Sequence, residues 1–267
     1  MSLLSRIIGR FRVKTVIKPI IVVKENENLL EGKTALITGG SSGIGAAIAE
    51  KMVKAGAKVF VTGRNEGKLN SLASRIGCQY IVMDVTDIKS TEQALNALFQ
   101  KEKIDILVNS AGVHGNDPFG KVTEQCFDDV MATNVKALYF MSQMVSNQMI
   151  EKHISGHILN VSSASSIKPS WTPYEVSKRA VNGITQGFAH KLIPYRIVVN
   201  GIAPGPTATP MMGRSEDISW EGNPSGRMST VEEIASLALF MVSGQGDGIV
   251  GDTFFITGGS GIICIDK

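Results

Sequence analysis

Tyr174 stands four positions before Lys178 in the stretch "TPYEVSKRAV". A free phenol exchanges protons poorly near neutrality, because its pKa is about 10. A cation held beside it favours the phenolate and lowers that value. At positions i and i+4 of a helix the two side chains share one face, with Cβ atoms roughly 5–6 Å apart. The pair therefore suits acid–base exchange with an oxygen atom. Such a spacing also arises by chance, so its meaning depends on what accompanies it.

The stretch "TGGSSGIG", residues 38–45, follows the apolar run "KTALI" and opens the helical pattern "IGAAIAEKMVKAG". Gly39, Gly43 and Gly45 permit a tight turn and let a pyrophosphate approach the backbone closely. Ser41, Ser42 and Ile44 belong to the same turn. The helix N-terminus adds free N–H groups and a positive dipole end. Between a strand and a helix at the head of a βαβ unit, this is a dinucleotide-binding signal. The next strand ends "VFVTGRN". An acid there would accept from ribose hydroxyls, but Gly63 and Arg64 occupy the place. Gly63 removes bulk and charge, and Arg64 can pair with a 2′-phosphate. The expected cofactor is NADP(H), with NAD(H) the alternative.

These groups need a scaffold, and the rest of the chain supplies its pattern. From residue 33 apolar strands alternate with helical stretches: "AKVFVTG", "EGKLNSLASRI", "CQYIVMDV", a helix over about 88–102, then "IDILVNSAG". A long helix over about 123–151, "GHILNVSS", a helix over about 174–191, "RIVVNGIAPG", "TVEEIASLALFMVS" and "GDTFFITGG" complete the series. The strands are continuous apolar runs, as expected of strands buried on both faces of a parallel sheet. The predicted class is α/β: a single doubly wound Rossmann-type parallel sheet flanked by helices on both faces.

A chain of 267 residues, 43% hydrophobic and 19% charged, can bury a sizeable core. A net charge of +3 is too small to imply a nucleic-acid partner. Arg6, Arg10, Arg12, Lys14, Lys18 and Lys24 fall in the first 24 residues with no acid among them, so the remainder is mildly acidic. Residues 1–30 form a basic arm outside the repeating pattern, and residues 31–267 form the domain holding both sites. The arm suits packing on a partner subunit; a transit peptide and contact with an anionic membrane surface are the other readings. No apolar run approaches the roughly 20 residues of a transmembrane helix, and no secretory signal is expected. Cys78, Cys126 and Cys264 are scattered, without a CxxC pair, which points to reduced thiols in the cytoplasm. His153 and His157 lack the Glu of a zinc motif, and no metal site is expected.

The ordered set "TGGSSGIG", "DV" at 84–85, "NSAG" at 109–112, "MATNVKA", "ILNVSS", "YEVSK", "NGIAPGPTATP" and "GRMSTVEEIA" with a late "TGG" resembles the short-chain dehydrogenase/reductase family over about residues 30–260. Within it the 3-oxoacyl-[acyl-carrier-protein] reductase branch is the nearest specific reading; sugar, polyol or steroid-type substrates are the others. The resemblance implies that Asn134, Ser163, Tyr174 and Lys178 form a catalytic tetrad, with Asn134 holding a water of a proton relay. It implies that Asp84 and Val85 contact adenine, and that Asn109, Ala111 and Gly112 line the central cofactor cleft. Tyr174 and Lys178 would also touch the cofactor, with Pro204, Gly205, Thr207 and Thr209 beside the nicotinamide. A small carbonyl or alcohol would be the substrate, under a lid over 208–226 containing Met211, Met212 and Trp220. A homodimer or homotetramer is expected, joined through the helices near 123–151 and 174–191. Ser110 replaces the family's usual Asn. The interval from the serine pair to Tyr174 is short, so spacing leaves Ser162 and Ser163 open; strand alternation and the family pattern select Ser163. A cofactor-binding scaffold that does no chemistry would dispense with Tyr174 and Lys178, yet both are present.

Overall fold

The computed structural model describes residues 28–115, 118–209 and 217–261. The basic arm up to residue 27, Met211, Met212 and Cys264 lie outside the described residues. Seven strands form one sheet: β1 (Thr34–Thr38), β2 (Lys58–Gly63), β3 (Gln79–Val82), β4 (Ile106–Asn109), β5 (His157–Val161), β6 (Val198–Pro204) and β7 (Thr253–Ile256). Their order is β3-β2-β1-β4-β5-β6-β7, and every pairing is parallel. The helices are α1 (Gly43–Lys54), α2 (Glu66–Ile76), α3 (Ile88–Phe99), α4 (Glu124–Met131), α5 (Leu138–Glu151), α6 (Pro173–Leu192) and α7 (Val231–Val242).

All five residues of β1 are buried, and their side chains alternate between two cores. Ile37 joins Ile48 and Met52 of α1 with Ile234 and Leu239 of α7 on one face. Leu36 joins Leu95 of α3 with Met141, Val145 and Met149 of α5 on the other. Two covered faces explain why the strands read as unbroken apolar runs. The edge strands are the exceptions: Val82 and Phe254 are exposed.

Chain order reverses between β1 and β4, which leaves a crevice beyond their carboxyl ends, where ligands bind in such sheets. The register sets Thr38 beside Asn109 and Asn109 beside Asn160 at that edge. The expected helix over 123–151 is a continuous helical path, but Ala132–Ala137 adopts a π-helical turn between α4 and α5. That wider turn contains Asn134, and such turns occur frequently at functional sites. The helix expected over 88–102 ends at Phe99.

Candidate active site

Helix α6 starts with a capping box. Glu175 N–H donates to Thr172 Oγ1 at 3.1 Å, and Thr172 N–H donates to Glu175 Oε2 at 3.1 Å. Pro173 opens the helix, so Tyr174 stands in its first turn and Lys178 one turn later. Lys178 is buried, and its Nζ donates to the Val161 carbonyl at 2.9 Å, at the end of β5. The same Nζ is 5.7 Å from the centre of the Tyr174 ring. Burial without a counter-charge pulls the Lys178 pKa from 10.5 down to about 8. Burial pushes the Tyr174 phenol above its ordinary value, and a hydrogen bond from Ser163 opposes it. The net shift is therefore upward, opposite to the lowering expected from the lysine, because desolvation of the phenol dominates.

Ser162 and Ser163 face opposite ways, as successive residues leaving a strand do. Ser162 Oγ donates towards Asn182 Oδ1 at 2.6 Å and the Lys178 carbonyl at 3.2 Å, which ties β5 to α6. Ser163 is the serine that reaches Tyr174; its Oγ also accepts from Ser165 N–H at 3.1 Å. The Asn134 amide is engaged on all sides. Oδ1 accepts from Val113 N–H at 2.9 Å, while Nδ2 donates to Val113 O and to Ser177 Oγ, each at 3.0 Å. Ser177 Oγ in turn donates to the Tyr174 carbonyl at 2.7 Å. Asn134 therefore clamps the loop after β4 to the start of α6. Gly112 fits between them: a Cβ there would lie 3.3 Å from Asn134 Oδ1 and 3.6 Å from Lys178 Nζ.

At the other end of the crevice the backbone dominates. Gly39 has φ +64°, and a Cβ on it would meet Ala111 Cα at 2.7 Å. On Gly45 a Cβ would sit 2.5 Å from the Gly39 carbonyl. Thr38 Oγ1 accepts from Ser110 and Ala111 N–H at 3.1 and 3.2 Å, fastening the two strand ends together. Helices α2, α3, α4, α6 and α7 begin with a side-chain cap, from Asn65, Asp87, Thr123, Thr172 and Thr230. At α1 the Ser42 side chain makes no such bond, so the first N–H groups of that helix keep their capacity for an anion. This turn fits the pyrophosphate of a nicotinamide dinucleotide: tight main-chain packing keeps Gly39 and Gly45 without side chains, and the first donors of α1 lack a side-chain acceptor.

Gly63 keeps space beside Ser41, whose Oγ lies 3.4 Å from where a Cβ would be. Arg64 is exposed and makes no ion pair among the described residues. Hydrogen bonds from Thr86 hold the Asp84 carboxyl below its usual range, and the Arg64 charge adds to that. Val85 packs on the core. Asn109 is buried, with Nδ2 donating to Ser142 Oγ and Asn160 Oδ1 at 2.9 Å each, so its side chain braces the strand ends. On the far side of the crevice β6 ends at Pro204. There Thr207 Oγ1 donates to the Gly205 carbonyl at 2.9 Å. The Thr209 methyl lies 3.7 Å from a Cβ placed on Gly43, which brings this loop onto the glycine turn.

Several contributors escaped the sequence reading. Thr38 and Asn160 are polar residues within apolar strands, a signal that could have marked them; Asn160 links Asn109 to Thr185 of α6. His114 lies two places beyond the "NSAG" glycine, with its ring centre 4.3 Å from that of Tyr174. Phe119 and Trp171 touch edge-to-face at 5.7 Å, both exposed.

A family model described as short chain dehydrogenase matches residues 33–219. Gluconate 5-dehydrogenase of Gluconobacter oxydans is 34% identical over 244 residues, 86% of this chain and 95% of that protein. The 3-oxoacyl-[acyl-carrier-protein] reductase FabG of Rickettsia prowazekii is 33% identical over 236 residues, covering 86% and 97%. Among solved structures, a 3-ketoacyl-(acyl-carrier-protein) reductase from Brucella melitensis complexed with NADH is similar. Its TM-score is 0.79 at 29% identity, over 87% of this chain and 100% of the other.

Proposed function

The chain belongs to the short-chain dehydrogenase family, and from that premise we propose an NADP-dependent oxidoreductase that interconverts a carbonyl and a secondary alcohol. The observation that carries this reading is the convergence of Ser163, Tyr174 and buried Lys178 at the carboxyl end of β5. When bound, the nicotinamide supplies or takes up the hydride. Tyr174 gives a proton to the reacting oxygen in reduction and removes it in oxidation. Burial raises the phenol pKa and so favours its protonated form, which suits the acid role. Ser163 hydrogen-bonds the same oxygen and fixes its direction. Lys178 presents a cation behind the phenol, and Asn134 holds that corner rigid through Val113 and Ser177.

Gly39, Ser41, Ser42, Gly43, Ile44 and Gly45 would hold the pyrophosphate, and Arg64 with Ser41 the 2′-phosphate. Asp84 and Val85 would border adenine, while Ala111, Gly112, Pro204, Gly205, Thr207 and Thr209 would border the nicotinamide half. The Brucella relative solved with NADH favours NAD(H) as the second reading. Replacing Arg64 by Ala separates them: the KM for NADPH should rise about tenfold, roughly the worth of one charge-assisted hydrogen bond, with little change for NADH. Equal changes would remove the NADP assignment.

The relatives suggest 3-oxoacyl carrier-protein thioesters and sugar acids as substrate classes. A homodimer or homotetramer is supported by the exposed Phe127 on α4, Tyr139 on α5 and Val176 on α6, on the helices expected at the interface. The cytoplasm is the proposed compartment, on the scattered cysteines of the sequence. A screen of NADPH consumption across oxoacyl thioesters, ketosugars and small ketones tests the reading. Turnover of at least one class is expected; consumption with none would contradict it.

A further inference from the structure

His114 lies against Tyr174 yet has no part in the reaction just described. The two ring centres are 4.3 Å apart with planes tilted by 36°. The imidazole is held from both sides of the chain. Asn134 pins the preceding residue through both its N–H and its carbonyl. On the following side, His114 Nδ1 is 2.7 Å from the Gly115 carbonyl oxygen. A carbonyl only accepts, so Nδ1 donates, and in that tautomer the acceptor lone pair is on Nε2. His114 is exposed, and Nε2 has no partner among the described residues.

The polar neighbours differ. Asn134, Ser162 and Ser177 direct their side chains into hydrogen bonds that hold the loop, β5 and α6 together. No internal bond of the site requires an acceptor at Nε2. To exchange a proton, the phenol oxygen must stand within about 2.6–3.2 Å of the reacting oxygen. With its ring centre 4.3 Å from that of the phenol, the imidazole is a neighbour of whatever carbon adjoins the reacting one.

We propose that His114 determines specificity: its Nε2 accepts a hydrogen bond from a hydroxyl on the carbon next to the reacting one. The substrates are then α-hydroxy ketones and the vicinal diols they form. Reduction places the hydride of NADPH on the carbonyl carbon and a proton from Tyr174 on its oxygen, giving the diol and NADP+. This rests on the oxidoreductase reading and narrows it, because a 3-oxoacyl thioester carries a methylene between its two carbonyls, whereas ketosugars and polyols carry hydroxyls beside the reacting carbon. A site that hydrogen-bonds a substrate hydroxyl discriminates against the analogue lacking it.

The test compares 1-hydroxy-2-butanone with 3-pentanone, a pair matched in size, as substrates with NADPH. Wild type should prefer the hydroxyketone by about two- to tenfold in kcat/KM, the worth of one neutral hydrogen bond. In His114→Phe, which keeps an aromatic ring against Tyr174, that ratio should fall to about one. In His114→Gln, which returns an acceptor near Nε2, most of the preference should return. A wild type without preference, or a His114→Phe variant that retains it, overturns the inference while leaving the oxidoreductase reading intact. So does His114→Phe slowing both ketones equally, since the residue would then act through Tyr174. If wild type consumes NADPH with neither ketone nor any carbonyl of the wider screen, the oxidoreductase reading falls as well.

Discussion

At the turn after β1 the chain offers backbone: Gly39 and Gly45 approach neighbouring main-chain atoms so closely that a Cβ would collide, and α1 begins without a side-chain cap. At the start of α6 it offers side chains, and each is held by others. Lys178 reaches the Val161 carbonyl, Asn134 clamps Val113 and Ser177, and Ser162 locks onto Asn182. On the proposed reading the first region binds an anion with groups that every residue owns, so its demand on sequence is the absence of side chains. On the same reading the second performs proton chemistry and demands particular ones. Substitutions should therefore fail differently in the two places: additions break the turn, and deletions break the α6 corner.

The largest contrast is expected from Tyr174→Phe. General acid–base groups contribute about 10²–10⁴-fold, so kcat should fall by that order while NADPH binding, followed by cofactor fluorescence, is retained. The serine pair sharpens the same corner. Ser163→Ala should lower kcat by roughly 10²-fold through loss of a donor to the reacting oxygen. Ser162→Ala should cost about 1–3 kcal/mol of stability by leaving the Asn182 amide and the Lys178 carbonyl short of a partner, and much less of kcat. Steady-state kinetics beside thermal melts would reverse the assignment if the two variants exchanged these effects.

Gly45→Ala probes the turn. A Cβ at 2.5 Å from the Gly39 carbonyl forces the turn apart, at about 1–3 kcal/mol. Each kcal/mol should appear as a melting point lower by about 2–4 °C in a chain of this size, together with weakened cofactor binding. An unchanged affinity would show that the backbone cradle is not where the pyrophosphate sits.

The remaining effect is that of pH on stability. Lys178 titrates near 8 when folded and near 10.5 when unfolded. Between those values the unfolded chain binds more protons, so stability should rise with pH across that window. Below about 8 both states are protonated and the group adds no slope. In Lys178→Met this rise should vanish from urea titrations; its persistence would assign the slope elsewhere.

Much of this division was legible in the sequence. Glycines, strand runs and the Tyr174–Lys178 spacing are local patterns, and the β–α alternation fixes a parallel sheet with its crevice at one edge. What was hidden depends on direction in space. The π-helical turn at Ala132–Ala137 leaves the apolar pattern of α4 and α5 unbroken, so nothing in the spacing marks it. Spacing alone does not separate Ser162 from Ser163; strand alternation and the family pattern do, and the hydrogen bonds of Ser162 to Asn182 and the Lys178 carbonyl are what the sequence concealed. The Tyr174–Lys178 spacing pointed to a lowered phenol pKa, whereas burial raises it, because desolvation is a property of the packed molecule. His114 meets Tyr174 across 60 positions of chain, through a loop anchored by Asn134.

The central claim, that this crevice transfers a hydride between a nicotinamide and a carbonyl carbon, is tested most directly by following the label. NADPH deuterated at the transferable position of nicotinamide C4 is incubated with the protein and the best carbonyl from the screen, and the product alcohol is examined by mass and NMR. One deuterium on the former carbonyl carbon, with equal consumption of cofactor, is the predicted result. Product without deuterium at that carbon, or cofactor consumed without alcohol formed, would contradict it.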